Sequence, residues 1–249
     1  MDSRGPTSVA TFFSEASLEP SGTVDLEEGE AHHARVRRIE PGSRVRLVNG
    51  AGVIAFGALT KVTKRSASVA IDDVTHIAPP PAVHLFAPVG DRDRMLWLAE
   101  KSTELGLTSW RGVMWQRSRG VSPRGEGESF RAKLRTRMIG ALTQSGGAWL
   151  PAVLPDLAAE DMYEAADRGG RFFLDVTGEP MLSVVTHAPL TIALGPEGGL
   201  ADDERSRLSR AGWIPVSLGA TTLRFETAGV AALAIVRAAL AANVESARG

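Results

Sequence analysis

The chain is 249 residues long, enough for one large domain or two ordinary ones, and its 43% apolar and 23% charged residues suit a folded protein rather than a disordered one. It holds no cysteine, which excludes disulfides, thiolate metal sites and cysteine nucleophiles and fits a reducing compartment. A net charge of −1 excludes a globally basic protein, so any surface for a polyanion must be local. The opening residues MDSRGPTSVATFF lack the apolar run of a secretory leader. The longest apolar stretch, 228–244, is alanine-rich and contains Arg237, which reads as a buried helix rather than a membrane span. The expected location is therefore the cytoplasm, with no membrane partner.

In chain order, the first 75 or so residues predict short strands and turns. Arg44–Val48 alternates charged and apolar residues, Asn49-Gly50 is a turn signal, and Val53–Thr60 and Ser66–Asp72 are strand-like. A short helix is expected around His32–Val36. Few helical patterns among short strands suggest a small β-barrel. Pro79-Pro80-Pro81 then fits neither a helix nor a central strand, so it is taken as a stiff linker and boundary, giving domains 1–77 and 78–249. Beyond it strands and helices alternate: strand Val83–Ala87, helix Asp93–Leu105 stopped by Gly106, strand Thr108–Trp115, a charged loop 119–128, helix Ser129–Gln144, strands Phe172–Val176 and Thr191–Leu194, helix Asp202–Ala211, strand Ile214–Leu218 and helix Glu226–Ala242. This alternation predicts a mainly parallel α/β sheet.

Charge is unevenly placed. Arg35, Arg37, Arg38, Arg44, Arg46, Lys61, Lys64 and Arg65 form one basic zone, and a second runs from Arg111 to Arg137. Either these are solvated faces or they meet a phosphate-rich partner. The adjacent His32 and His33 lack carboxylate partners in sequence and make a poor metal site.

Two loops carry the strongest local signals. Leu194-Gly195-Pro196-Glu197-Gly198-Gly199-Leu200 joins a strand to a helix, and its bare backbone allows a ligand to approach closely. Its spacing matches neither GxGxxG nor a P-loop, and a plain strand-to-helix turn is the other reading. Leu218-Gly219 ends a second strand, and Leu223-Arg224 precedes the last helix, which Thr227 is expected to cap and whose positive end Glu226 suits. Arg224 is a cation beside that positive end, so either an ion pair with Glu226 or another acid, or an external anion, is expected to hold it.

GPEGG followed by LG-x-x-x-LR-x-ETA and a buried helix resembles the SPOUT class of RNA methyltransferases, and more narrowly the RsmE family, which methylates N3 of a uridine in small-subunit ribosomal RNA. The resemblance runs along nearly the whole chain, through Phe12-Phe13, His32-His33 ahead of Val36-Arg37-Arg38, Glu100-Lys101-Ser102-Thr103-Glu104-Leu105-Gly106, Gln116-Arg117-Ser118, and Gln144-Ser145-Gly146 followed by Pro151. It implies a PUA-like N-terminal β-barrel used for RNA, followed by an α/β domain whose C-terminal segment threads a loop as a trefoil knot. It implies S-adenosylmethionine held by Leu194, Gly195, Pro196, Glu197, Gly198, Gly199, Leu218, Gly219, Leu223, Arg224 and Thr227. It further implies a homodimer, no metal, and small-subunit ribosomal RNA or the 30S particle as partner. Thr143 and Gly147 stand where the family usually has glutamate and arginine, and Ala220 and Thr221 replace its usual proline and arginine; Arg137 is a neighbour able to replace a lost arginine.

The expected catalytic pair is Arg224, a cation that stabilises the deprotonated uridine, and Glu226, which orients Arg224 or accepts the proton. Arg35, Arg37, Arg38, Arg117, Arg119 and Gln144 are the expected RNA contacts. Open alternatives are a SPOUT enzyme acting on a ribose 2′-hydroxyl or on transfer RNA, a non-catalytic RNA-binding assembly factor, and an unrelated nucleotide-binding enzyme.

Overall fold

The computed structural model describes residues 9–118, 122–165 and 169–246. Chain contacts divide it into two compact units: Met1–Pro79 together with Leu142–Leu150, and Pro80–Ala141 together with Pro151–Gly249.

The first unit contains β1 (Ala10–Phe13), β2 (Thr23–Leu26), α1 (Glu28–Val36), β3 (Arg44–Val48), β4 (Val53–Val62) and β5 (Ala67–His76). They form a five-stranded mixed sheet in the order β1-β3-β4-β5-β2, with β1 parallel to β3 and the other pairs antiparallel. Alternation in β3 buries Val45 and Leu47 among Phe12, Leu59, Val69 and Ile71 and leaves Arg44 outside. The Asn49 carboxamide shapes the β3–β4 turn, accepting from the N–H groups of Ala51 (2.8 Å) and Val53 (3.1 Å). The excursion 142–150 completes this unit: Gly52 N–H donates to the Ala148 carbonyl (2.9 Å), Leu150 N–H to Gly50 (2.9 Å) and the Trp149 indole to Ile77 (3.0 Å).

The second unit contains β6 (Val83–Pro88), α2 (Arg92–Glu104), β7 (Ser109–Met114), a 3-10 turn at Gln116–Ser118, α3 (Gly127–Ser145, whose last turn lies in the first unit), β8 (Ala152–Ala158), α4 (Ala159–Met162), β9 (Gly170–Pro180), α5 (Met181–Val184), β10 (Leu190–Ala193), α6 (Asp202–Arg210), β11 (Ile214–Ser217) and α7 (Phe225–Ser246). Its six strands are ordered β11-β9-β10-β6-β7-β8 and all ladders are parallel. β10 is buried at every position, as expected of a central parallel strand covered on both faces. The α/β class and parallel sheet expected from the alternation are therefore present. Strands β1, β2 and β8 and the short helices α4 and α5 had no counterpart in the sequence reading. Thr227 is a correction: α7 already begins at Phe225, and its Ala228 N–H is bonded to the Arg224 carbonyl (2.8 Å), so Thr227 lies inside the first turn rather than capping it.

The 225–243 stretch of α7 is long and apolar enough to cross a membrane by composition, with a mean hydropathy of 1.6. Here it packs on α2, α5 and β6. Arg237, midway along it, donates to the carbonyls of Leu105 (3.0 Å), Pro81 (2.5 Å) and Gly106, capping the C-terminal end of α2.

Candidate cofactor pocket

Ligands of open parallel sheets sit beyond the carboxyl ends of the strands. At that edge the β10–α6 loop (194–201) and the β11–α7 loop (218–224) face each other, with β9 residues Leu174, Asp175 and Val176 nearby, around a cavity of about 530 Å3. That is room enough for a nucleoside-sized ligand.

Several interactions hold the first loop in shape. Gly199 N–H donates to the Pro196 carbonyl (2.8 Å) across a tight turn, and Gly199 has φ +71°, which an L side chain rarely adopts. The Trp115 indole donates to the Leu194 carbonyl (2.9 Å) from beneath. Glu204 is buried with both oxygens in use. It accepts from Ala201 N–H (2.8 Å) at the start of α6 and from Gln116 N–H (2.9 Å) after β7. The Arg117 guanidinium donates to the Gly198 carbonyl (2.7 Å). The Gln116-Arg117-Ser118 segment and the GPEGG loop are thus one hydrogen-bonded assembly.

Of the residues expected to hold the cofactor, Leu194, Gly195, Pro196, Glu197, Gly199, Leu218, Gly219, Leu223 and Arg224 line the cavity; Gly198 and Thr227 do not. Gly198 serves the loop from behind, where an added Cβ would lie 3.3 Å from Arg117. The fit to S-adenosylmethionine is chemical as well as dimensional. Leu194, Leu218 and Leu223 offer apolar walls to an adenine ring, glycine backbone allows close approach, and the Glu197 and Asp175 carboxylates suit a cationic ligand.

Arg224 is exposed, and among the described residues its guanidinium has no ion-pair partner, so of the two readings left open for it the ion pair with Glu226 or another acid is absent. Glu226 instead lies 3.8 Å (Oε1 to Nε) from Arg94 of α2, and its Oε2 is buried without a hydrogen-bond partner. Arg94 also pairs with Glu197 and lines the cavity. The sequence reading missed Arg94. Its one signal was a cation in the first turn of a helix, where the dipole disfavours it. Asp175 was missed as well. Burial alone would raise its carboxyl, but hydrogen bonds from Thr177 N–H and Oγ1 and the Arg205 guanidinium (3.1 Å) hold it below the usual range.

The expected RNA contacts fall in separate places. Arg35, Arg37 and Arg38 are all exposed around the C-terminal end of α1. Arg38 follows the helix in the left-handed region (φ +54°), closing it through Ile39 N–H to Ala34 (2.9 Å). Arg35 also reaches the Lys64 carbonyl (3.2 Å), bringing the two basic segments together. Gln144 is exposed in the last turn of α3, and Arg119 lies outside the described residues. At the Gly146-Gly147 turn the guanidinium present is that of Arg46, which donates to both carbonyls (2.8 and 3.0 Å), whereas Arg137 is paired with Glu100 (3.2 Å). His33 packs edge-on against Phe12, with ring centroids 5.6 Å apart. Among the described residues no three His, Asp or Glu side chains cluster as a metal would require.

A family model described as an RNA methyltransferase domain matches residues 78–237. The chain belongs to the RNA methyltransferase family. A second model, an RNA methyltransferase PUA domain, matches residues 26–72 in the first unit. A relative from Mycobacterium bovis named Ribosomal RNA small subunit methyltransferase E is 29% identical over 243 residues, covering 92% of this chain and 91% of its own. A Neisseria gonorrhoeae structure, a Ribosomal RNA small subunit methyltransferase E bound to S-adenosyl methionine, is 26% identical with a TM-score of 0.85 over 93% of this chain and 98% of that one. A Legionella pneumophila structure described as a putative methyltransferase with bound SAM shares the fold at 24% identity and a TM-score of 0.84, covering 93% and 98% of the two chains. The resemblance to the RsmE family drawn from the motifs is thereby borne out for this member of the RNA methyltransferase family.

Proposed function

We infer that this protein is an S-adenosylmethionine-dependent ribosomal RNA methyltransferase acting on N3 of a uridine in the small subunit. The observation that carries the reading is the cavity built from the GPEGG loop and the Leu218–Arg224 loop, with an uncommitted arginine at its wall. The chemistry a bound S-adenosylmethionine supplies is an electrophilic methyl group, passed to the acceptor nitrogen as the C–S bonding pair returns to sulfur.

The chain's residues supply the rest. Uridine N3 carries a proton that must leave before its electron pair can bond to carbon. Arg224, with no internal partner, is free to sit against the base and stabilise the anion that forms. Glu226, whose carboxyl stands beside the cavity-lining Arg94, is the proton acceptor. N3 lies on the pairing edge of the base, so the target is single-stranded or flipped out.

Arg35, Arg37, Arg38, Arg117, Arg119 and Gln144 are the proposed RNA contacts. Arg38 supports this. An L-residue in its conformation costs roughly 1 kcal/mol, and a long cation is kept where glycine would serve the fold better. We assign the enzyme to the cytoplasm and to a homodimer. Only 39% of the apolar 225–243 stretch of α7 is buried, and Ala234, Ala238, Ala241 and Ala242 are exposed along it, a small-residue face suited to a second copy. Residues 78–249 act as the methyl-transfer domain, its C-terminal segment knotted, and 1–77 as the RNA-binding domain.

The test is labelled methyl transfer to small ribosomal subunits from a strain lacking the gene, with mass spectrometry of the nucleoside. N3-methyluridine is the expected product. A 2′-O-methyl nucleoside, or transfer only to transfer RNA, would replace the target; no transfer by folded protein would favour a binding factor.

A further inference from the structure

Arg94 occupies an unusual electrostatic position. It is the third residue of α2, whose first turn is pinned by Asp91 accepting from the N–H groups of Asp93 (3.1 Å) and Arg94 (3.0 Å). A cation in this first turn opposes the helix dipole. What holds it there is a pair of carboxylates from two other elements: Glu197 of the GPEGG loop, bonded to Nη1, and Glu226 of α7, 3.8 Å from Nε. These three residues lie far apart in sequence; Arg94 and Glu197 line the cavity, and Glu226 adjoins Arg94.

The two carboxylates are not equivalent. Glu197 is more than one-third exposed and directly hydrogen-bonded. Glu226 is only 12% exposed, its contact with Arg94 is beyond hydrogen-bond range, and its Oε2 has no partner among the described residues. A carboxylate removed from water with one oxygen bare is costly unless a cation stands beside it. Arg94 is that cation.

We propose that Arg94 is a positioning residue for methyl transfer, tethered by Glu197 so that its Nε orients the Glu226 carboxyl that takes the acceptor's proton. The inference rests on the methyl-transfer reading above. Arg94 acts through Glu226, and Glu197 sets the distance between them. Because Glu197 belongs to the loop that lines the donor cavity, the same guanidinium registers the donor's loop against the proton acceptor.

The test uses the full-length protein, small ribosomal subunits and saturating S-adenosylmethionine, comparing wild type with Arg94→Met, Arg94→Lys, Glu226→Gln and the double variant Arg94→Met/Glu226→Gln, each checked for cooperative thermal unfolding. Arg94→Met is expected to lower kcat at least about 30-fold, within the span of a lost acid–base group, with KM for the donor changed less than about 3-fold. Arg94→Lys recovers part of that loss, since it restores the charge without the fork. In the Glu226→Gln background, Arg94→Met costs less than about 3-fold more, because the two act as one unit. Losses that multiply, or an Arg94→Met enzyme within about 3-fold of wild type, would reduce Arg94 to a structural ion pair and leave the methyl-transfer reading standing. Absence of transfer by the wild type would remove that reading and this proposal together.

Discussion

The indole of Trp115 donates a 2.9 Å hydrogen bond to the carbonyl of Leu194, and both residues are buried. The bond joins the end of β7 to the point where β10 gives way to the GPEGG loop, so the pocket's floor is fixed by a residue that does not itself line the pocket. Trp115→Phe keeps most of the packing and strands a buried carbonyl. We expect a loss of about 1–3 kcal/mol in chemical denaturation. A weaker affinity for S-adenosylmethionine in calorimetry is expected with it. Unchanged stability would mean that the carbonyl finds another donor.

Among the described residues the Arg224 side chain makes no hydrogen bond or ion pair. Arg224→Ala is therefore expected to shift the midpoint of thermal unfolding by no more than about 2 °C, in line with surface substitutions. Methyl transfer should drop at least about 100-fold, the scale of a lost oxyanion-type donor. A variant that turns over near the wild-type rate would take Arg224 out of the chemistry.

Asp175 gives the pocket a pH dependence of defined sign. Its carboxyl is held below the ordinary value of 3.8, against the opposing effect of burial, by Thr177 and Arg205. A carboxyl depressed in the folded state contributes stability above its unfolded value and loses that contribution as pH falls through the folded value. Asp175→Asn should unfold at a lower temperature than wild type at pH 7. The gap should close as pH drops below about 3.8. Melting curves of the two proteins across pH 3–7 would show it, and a gap independent of pH would assign the effect to packing.

Gly52 faces the Trp149 ring, with φ +87° and an added Cβ only 2.4 Å from the indole. Gly52→Ala is thus strained and crowded, and about 2 kcal/mol or more of stability should be lost. The first unit should show the loss most, as earlier hydrogen exchange in β4 and β5 than in β6 or β10.

The comparison of sequence with structure divides along physical lines. The GPEGG and LR-x-ETA loops were legible because glycine spacing between apolar strands is a local property, and nine of the eleven residues expected at the cofactor line the cavity. Strands β1 and β2, four residues each, were too short to show a period, and β8 is only partly buried along its length. Arg94 and Asp175 were invisible for another reason. Their meaning depends on partners brought close by the sheet order, Glu226 for one and Arg205 for the other, and no spacing encodes that. Arg46 at the Gly146-Gly147 turn is the same case, a guanidinium supplied from a hundred residues upstream.

The return of residues 142–150 to the first unit bears on how such a protein can be inherited or rearranged. The linker prolines invite a cut after Pro79, but a fragment ending there would lack the Ala148 carbonyl that receives Gly52 N–H and the indole that covers this glycine. The first unit is not a cassette that recombination can move by one crossover. Any exchange that preserves it must carry the end of α3 as well.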